Sequence, residues 1–535
     1  MIKSKSLRST FILALALFYA LAPAVASDRQ SQPAQPPETL DSLRARIGAH
    51  LAQPRYGPAA WGVKIVSLDT SATVFEQNPG KYFSPGSNAK LYSAALALDR
   101  LGGDYRIKTS VYATARPDSS GTIKGDLIVY GRGDPTLAAR LNGGDYYKPF
   151  EPFVNLLVNA GVRKIEGDLI GDESYFTGPP FGSGWGWDDL QWYYGAEVSA
   201  LSINDNSLDL FVKPAERAGL PCQITTGPPT SFVTLMNRTQ TGPKGSGSRL
   251  SVYRPVGENV VYVSGRLAID DRPYTGSVAV HNPARLFVTL FKQLLAERGI
   301  TLTGRARVID WKYREVSPID FKKLAEIGAV ESPPIKDIVR ETLKPSQNLY
   351  AQLLLLQVGA SLPTPVSAQA SPNPYRTTED AGIDEMNLFL SEAGIKRGEV
   401  VLEEGSGLSR KNIITPSATV ELLKYMSRHR WADAFRDGLP IAGIDGTLER
   451  RMRETPAEGN ARAKTGSLRY VYTLSGYVTT AAGERLAFSI LLNNSYSADR
   501  SGSPRDDIDA IVVMLAGFSA RTSQISNLLT VRRLS

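Results

Sequence analysis

Four apolar residues, Leu91, Ala94, Ala95 and Leu98, fall on one helical stripe just after Pro85-Gly86-Ser87. That spacing predicts a helix beginning near Ser87. Upstream, residues 40–51 have helical spacing, 61–68 alternate as a half-buried strand, and 73–76 read as its hairpin partner. From about 104 to 320 the pattern changes to short β-rich runs and Gly-Asp turns, interrupted by helical stretches at 153–158 and 284–297. The helical style returns near Pro333-Pro334. Ile335, Ile338, Val339 and Leu343 share a stripe, 349–356 read as a buried helix, and further helices are expected at about 379–394 and 416–428. Residues 361–374 form a Ser/Pro-rich loop. The chain then reads as strands at 468–478 and 485–492 and an amphipathic helix at 507–515.

This order predicts a mixed α/β-plus-helical domain made of residues 38–103 and 321–535, with its first and last strands in one sheet. Residues 104–320 are an inserted region, read as two nested domains. Within it, Gly125-Asp126-Leu127-Ile128 leads through a helix to Gly167-Asp168-Leu169-Ile170. Gly265-Arg266-Leu267-Ala268 leads through another helix to Gly304-Arg305-Ala306-Arg307. Gly161 and Gly299 close the helices, and the likeness predicts two related β-α-β modules with a β-rich lobe between them.

The first 37 residues stand outside this scheme. Lys3, Lys5 and Arg8 precede an uncharged run at 11–21, and Ala24-Val25-Ala26 supplies small residues, the pattern of a secretory signal cleaved after Ala26. The run is too short for a membrane span, so no transmembrane anchor is expected. Residues 27–37 are a polar, disordered lead-in. The formal charge of +8 becomes +5 once the leader's three cations are removed. That modest excess suits an anionic polymer or surface, while export and the lack of a dense basic stripe argue against nucleic acid. Cys222 is the single cysteine, which excludes an internal disulfide.

Three short motifs carry chemistry. Ser87 and Lys90 are three apart and share a helix face. The amine can take the hydroxyl proton only when neutral, so its pKa must be depressed by burial or by neighbouring cations. Ser-x-Asn occurs three times, as Ser202/Asn204, Ser346/Asn348 and Ser371/Asn373. Ser346, at a turn between two apolar helices, is preferred: its hydroxyl could relay a proton and Asn348 could orient Lys90. Lys464-Thr465-Gly466-Ser467 stands ahead of the alternating run at 468–478. There Gly466 leaves room for substrate along the strand edge, Lys464 supplies positive potential, and Thr465 and Ser467 hold a carboxylate. The backbone N–H groups of Ser87 and Ser467 are the expected oxyanion donors. Together these are the parts of a serine acyl-transfer site with a lysine base, a chemistry that calls for no metal or cofactor.

With these motifs on the page, the chain resembles the D-alanyl-D-alanine carboxypeptidase/endopeptidase family (peptidase family S13) of low-molecular-mass class C penicillin-binding proteins. The likeness extends to Gly133-Asp134-Pro135-Thr136-Leu137, Ala200-Leu201-Ser202-Ile203-Asn204, Lys344-Pro345-Ser346-Gln347-Asn348-Leu349-Tyr350, Gly405-Ser406-Gly407-Leu408-Ser409-Arg410 and Gly443-Ile444-Asp445-Gly446-Thr447-Leu448. The resemblance implies an α/β penicillin-binding, serine β-lactamase-like transpeptidase fold, an antiparallel sheet plus a helical subdomain, with a large β-rich insertion. It implies Ser87 as nucleophile, Lys90 as base, Ser346 and Asn348 as assistants, and Lys464 near the D-Ala carboxylate. Arg410 resembles a family arginine near the diaminopimelyl arm of the substrate, and Asp188 or Asp189, with Asp189 preferred, would meet that arm. The expected substrates are peptidoglycan stem peptides or their D-Ala cross-links. β-Lactams are the expected covalent inhibitors, the periplasm or loose envelope attachment the expected location, and a homo-oligomer is compatible with this reading. Departures are Glu404 for Asp, Gln352 for Glu, Gly86 for Ala and Ser467 for Thr. The rival readings are a β-lactamase or esterase on the same Ser/Lys pair, and a non-catalytic wall-binding protein.

Overall fold

The computed structural model describes residues 38–362, 375–496 and 502–522. The leader, the lead-in and residues 363–374 of the Ser/Pro-rich stretch lie outside the described residues. The chain enters through helix α1 (Leu40–Leu51), whose Thr39 caps the helix by accepting from the Ser42 amide. Strands β1 (Ala60–Ser67) and β2 (Thr73–Gln77) and helix α2 (Ala89–Arg100) follow. Next come β3 (Lys108–Ala113), β4 (Leu127–Tyr130), α3 (Glu151–Asn159), β5 (Leu169–Asp172), α4 (Pro283–Glu297), β6 (Ala306–Ile309) and β7 (Ala325–Glu331). Helices α5 (Ile335–Leu343), α6 (Asn348–Ser361), α7 (Thr378–Glu392) and α8 (Pro416–Met426) precede the closing elements. These are β8 (Arg462–Leu468), β9 (Val471–Thr479), β10 (Arg485–Asn493) and α9 (Pro504–Ala516).

β8, β9, β10, β1 and β2 form one antiparallel sheet in that order. β1 pairs along its whole length with β10, from Ala60 opposite Asn493 to Ser67 opposite Leu486, so the first strand closes on the last. β10 shows why it is central: all but its first residue are buried. Its alternate side chains serve two cores, as a period of two requires. Phe488 and Ile490 pack with Leu43, Ile47, Ile511 and Leu515 of α1 and α9. Ala487 and Leu491 join the helical core of Leu91, Leu96, Ile338, Leu353, Phe389 and Leu422. α6 is buried from Asn348 through Val358, the spine of that core.

The strand expected at 468–478 is two strands. Lys464-Thr465-Gly466-Ser467 lies inside β8 and not ahead of a strand, and the chain reverses at Arg469-Tyr470 between the paired residues Leu468 and Val471. That pair carries no glycine or asparagine to signal a turn.

The inserted sheet has the order β6-β5-β4-β3-β7. β4, β5 and β6 are parallel, with α3 crossing between the first two and α4 preceding the third. The expected pair of β-α-β modules is therefore corrected. Gly265-Arg266 belongs to the strand Val260–Ala268, in a separate three-stranded sheet with Thr234–Gly242 and Arg249–Tyr253. The real recurrence is a corner repeated at Gly125, Gly167 and Gly304, where three parallel strands start side by side. Asp126 Oδ1 accepts from the Asp168 amide at 2.7 Å, and Asp168 Oδ1 accepts from the Arg305 amide at 2.8 Å. A Cβ on Gly304 would lie 2.1 Å from the Gly167 carbonyl oxygen, so close stacking of these corners demands the glycine. β7 pairs with β3, which places residues 325–331 in the insertion's sheet. The chain leaves and re-enters the helical part side by side: the amides of Ile107 and Ser332 donate respectively to Ser332 Oγ and the Ile107 carbonyl, both at 2.9 Å.

Candidate active site

Ser87 sits in a single 3₁₀ turn, Gly86–Asn88, that runs into α2. The turn is fastened to the sheet beneath it. Asn88 Nδ2 donates to Ser475 Oγ at 3.1 Å, and Thr473 Oγ1 donates to the Pro85 carbonyl at 2.8 Å. One helical step on, Lys90 is wholly buried. Its Nζ lies 2.8 Å from Ser87 Oγ, 2.6 Å from Asn348 Oδ1 and 2.6 Å from the Ser406 carbonyl oxygen.

Those three partners suit either protonation state of the amine. The amide oxygen and the backbone carbonyl can only accept, so they take two N–H bonds from the amine. An ammonium would donate to all three, whereas a neutral amine, with two hydrogens and one lone pair, would donate to these two and accept from Ser87, the one partner that can donate to it. Burial pushes the Lys90 pKa down to about 7, against the opposing pull of the Glu404 carboxylate. A base poised near neutrality, with its lone pair on a serine hydroxyl, is the arrangement for generating a nucleophile.

Asn348 opens α6, and its Nδ2 donates to the Tyr194 carbonyl at 2.7 Å. That bond fixes which end of the amide faces Lys90. Tyr194 belongs to the inserted region, so the insertion helps set the geometry of the base. Ser346 adopts a left-handed backbone, φ 66°, between α5 and α6. Its Oγ accepts from Lys464 Nζ at 2.8 Å, and the same amine donates to the Thr465 carbonyl at 3.0 Å. Lys464 is also wholly buried, and desolvation, followed by the charge of Lys90, holds its pKa well below the usual lysine range. Burial thus works against the positive charge expected of Lys464, and in either protonation state the amine donates to Ser346 and the Thr465 carbonyl. Ser202 lies elsewhere, buried and bonded to the Ser199 carbonyl and to Asn206, within the insertion.

β8 is an edge strand, and Thr465 and Ser467 face the cleft. Gly466 is needed for a different reason from the one its position suggested. A Cβ there would stand 2.1 Å from Thr473 Oγ1 and 2.5 Å from the Pro85 carbonyl, on the side of the nucleophile turn. The glycine lets the strand lie against Ser87, not against substrate. Gly466→Ala is expected to cost roughly 1–3 kcal/mol of stability by overpacking. It should slow acylation of Ser87 more than tenfold by prising β8 from the turn, roughly 1.4 kcal/mol or more in the barrier. Thermal melts and acylation kinetics read the two effects separately.

The Ser406 carbonyl owes its place to Glu404. This buried carboxylate accepts from the amides of Ser406 and Gly407 at 2.6 Å each and of Ser409 at 3.3 Å, and from Asn412 Nδ2 at 2.7 Å. Glutamate in place of aspartate still organises the loop. Gln352 accepts from the Gly405 amide at 2.8 Å and donates to Glu379, whose pKa burial pushes up to about 7. An amide at 352 spares Glu379 a second carboxylate.

These groups open on a cleft of about 940 Å³. Gly184, Asp188, Asp189, Tyr193 and Tyr194 of the insertion line it together with Leu408, Arg410, Thr447, Arg451 and Arg505. Burial and then Asp188 push the Asp189 pKa up, while a hydrogen bond from Tyr194 and the charge of Arg410 oppose the shift. Thr447 Oγ1 and Thr465 Oγ1 are 2.8 Å apart, fixing the Thr465 hydroxyl. Tyr194, Glu404, Ser406 and Thr447 were not picked out as site residues by sequence reasoning. Among the described residues, no group of three or more His, Cys, Asp or Glu side chains is arranged to hold a metal. No helix among them is long and apolar enough to cross a membrane.

The sequence model of the D-Ala-D-Ala carboxypeptidase 3 (S13) family matches residues 43–517. The chain belongs to this family. It is 34% identical over 495 residues, 90% of this chain and 85% of the relative, to the D-alanyl-D-alanine carboxypeptidase of Actinomadura sp. (strain R39). A penicillin-sensitive carboxypeptidase A of Dictyostelium discoideum is 28% identical over 491 residues, 86% of this chain and 87% of the relative. The crystal structure of penicillin binding protein 4 from Haemophilus influenzae superposes with a TM-score of 0.71 at 24% identity, covering 87% of this chain and 97% of that one. The fold is therefore the penicillin-binding one, an antiparallel sheet and helical subdomain carrying a large insertion.

Proposed function

We propose that the protein is a serine D-Ala-D-Ala carboxypeptidase acting on peptidoglycan stem peptides through an acyl-serine. The observation that carries the reading is the Lys90 amine, wholly buried and 2.8 Å from Ser87 Oγ. Ser87 attacks the carbonyl of the penultimate D-Ala while Lys90 takes its proton. The backbone N–H groups of Ser87 and Ser467 receive the oxyanion. The proton taken by Lys90 is relayed through the Ser346 hydroxyl, linked to Lys464, to the leaving amine, and water then hydrolyses the ester and restores the Ser87 hydroxyl. Thr465 and Ser467 hold the terminal carboxylate. Arg410 and Asp189 face the side arm of the upstream residue. A β-lactam amide enters the same path and stays on Ser87.

Arg451 and Arg505 line the same cleft as Thr465, and its volume of about 940 Å³ gives room for a longer leaving group. That supports endopeptidase action on D-Ala cross-links by the same steps. Mass spectrometry of products from uncross-linked pentapeptide and from cross-linked dimers tests both activities. D-Ala release lost in Ser87→Ala is expected; release undiminished in that variant would refute the reading. The basic, apolar and small-residue order of residues 1–26 supports export to the periplasm or envelope. N-terminal sequencing of protein from the envelope fraction should then begin at Ser27.

A further inference from the structure

Tyr470, in the turn between β8 and β9, and Tyr496, beyond the end of β10, are two exposed aromatic residues in ring contact, next to the cleft-lining Arg469. Tyr470 has φ 68°, a left-handed conformation that glycine takes freely and a bulky side chain takes under strain. Its ring is nevertheless out in solvent: Tyr470 is 42% exposed and Tyr496 is 71% exposed. The two rings stand edge to face, 5.9 Å apart at 81°. Contacts around the turn hold Tyr470. The Ser495 amide donates to the Tyr470 carbonyl at 3.1 Å, Arg410 Nη1 donates to the Arg469 carbonyl at 3.3 Å, and the Arg469 guanidinium lies 5.4 Å from the Tyr470 ring centre.

Reach relates this pair to the reaction. The Ser467 amide lies against the nucleophile turn, 3.1 Å from where a Cβ on Gly86 would be. Leu468 and Arg469 line the cleft, and Tyr470 follows, at most about 10 Å beyond Ser467 along an extended strand. With the leaving carboxylate at Thr465, the upstream peptide runs past Ser467 toward this turn. A stem peptide puts roughly four residues, about 13 Å when extended, between the scissile bond and the sugar that bears it. The rings therefore stand where that sugar arrives. The C–H face of a pyranose carries weak positive charge and suits the negative face of an aromatic ring, while its hydroxyls stay in water.

We propose that Tyr470 and Tyr496 form a platform for a sugar ring of the glycan that carries the stem peptide. The inference rests on the peptidase reading and adds a preference for glycan-linked over free peptide. The test compares kcat/KM for D-Ala release from a free pentapeptide and from the same pentapeptide on its disaccharide. Wild type should favour the glycosylated substrate by about 3- to 10-fold. Tyr470→Gly, which relieves the backbone, and Tyr496→Ala should each bring that ratio toward one while leaving free-peptide kinetics unchanged. Equal rates on both substrates in wild type, or an equal loss on both in the variants, would overturn the platform with the peptidase intact. No D-Ala release from either substrate, together with no penicillin adduct, would overturn the peptidase reading and this inference with it.

Discussion

Lys90→Arg acylates with a β-lactam at least about 10³-fold more slowly than wild type, near the upper range for loss of a general base. Arginine keeps the charge and much of the length, so it separates a basic role from an electrostatic one. A guanidinium stays protonated at every accessible pH and has no lone pair to offer Ser87. The wild-type rate should carry the titration of the amine itself. The protonated form has no lone pair, so below a pKa of about 7 the acylation rate falls tenfold per pH unit, and above it the rate levels. Stopped-flow acylation across pH checks both statements, and the arginine variant should lack the limb. The same shift has a stability consequence. The folded-state pKa lies below the ordinary 10.5, so between the two values the unfolded chain binds more protons, and stability rises with pH through that window.

Lys464→Met should slow acylation by roughly 10²–10³-fold while the unfolding midpoint holds or rises. The amine is buried and bonded to Ser346 Oγ and the Thr465 carbonyl, so its loss cuts a link between the Ser346 hydroxyl and β8. Methionine nearly matches its volume and removes the cost of burying an ionisable group, which is why activity and stability should part. If desolvation holds the amine neutral at pH 7, moderate salt should weaken wild-type acylation little, since no exposed charge is being screened. A variant that merely unfolds would instead lose its melting transition and its β-lactam labelling together.

Which parts of this site were legible in the sequence follows from what carries them. Ser87, Lys90, Ser346, Asn348 and Lys464 belong to short motifs recognisable by their side-chain types, and the fold gathers them around one cleft. The Ser406 and Tyr194 carbonyls that complete the lysine's surroundings are backbone groups, and no residue type announces them. Glu404 was noticed only as a departure, yet its role is to bend residues 404–409 so that the Ser406 carbonyl meets the amine. The burial of Lys464, which works against the positive charge expected of it, is reported by no local pattern. Elsewhere, β10 and α6 were plain from their apolar runs. The β8–β9 turn was missed because Arg469-Tyr470 has no turn signature, and Gly265 was drawn into a false repeat by a dipeptide common at strand corners. β7, which is nowhere fully buried, left no alternation strong enough to be read.

The central claim is that Ser87, deprotonated by a neutral lysine three residues on, is the group that becomes acylated. Peptide mapping by mass spectrometry after incubation with benzylpenicillin addresses it most directly. The account predicts one penicilloyl adduct, on the peptide containing Ser87, absent in Ser87→Ala and strongly delayed in Lys90→Arg. An adduct on any other residue, or one that persists in Ser87→Ala, would contradict it.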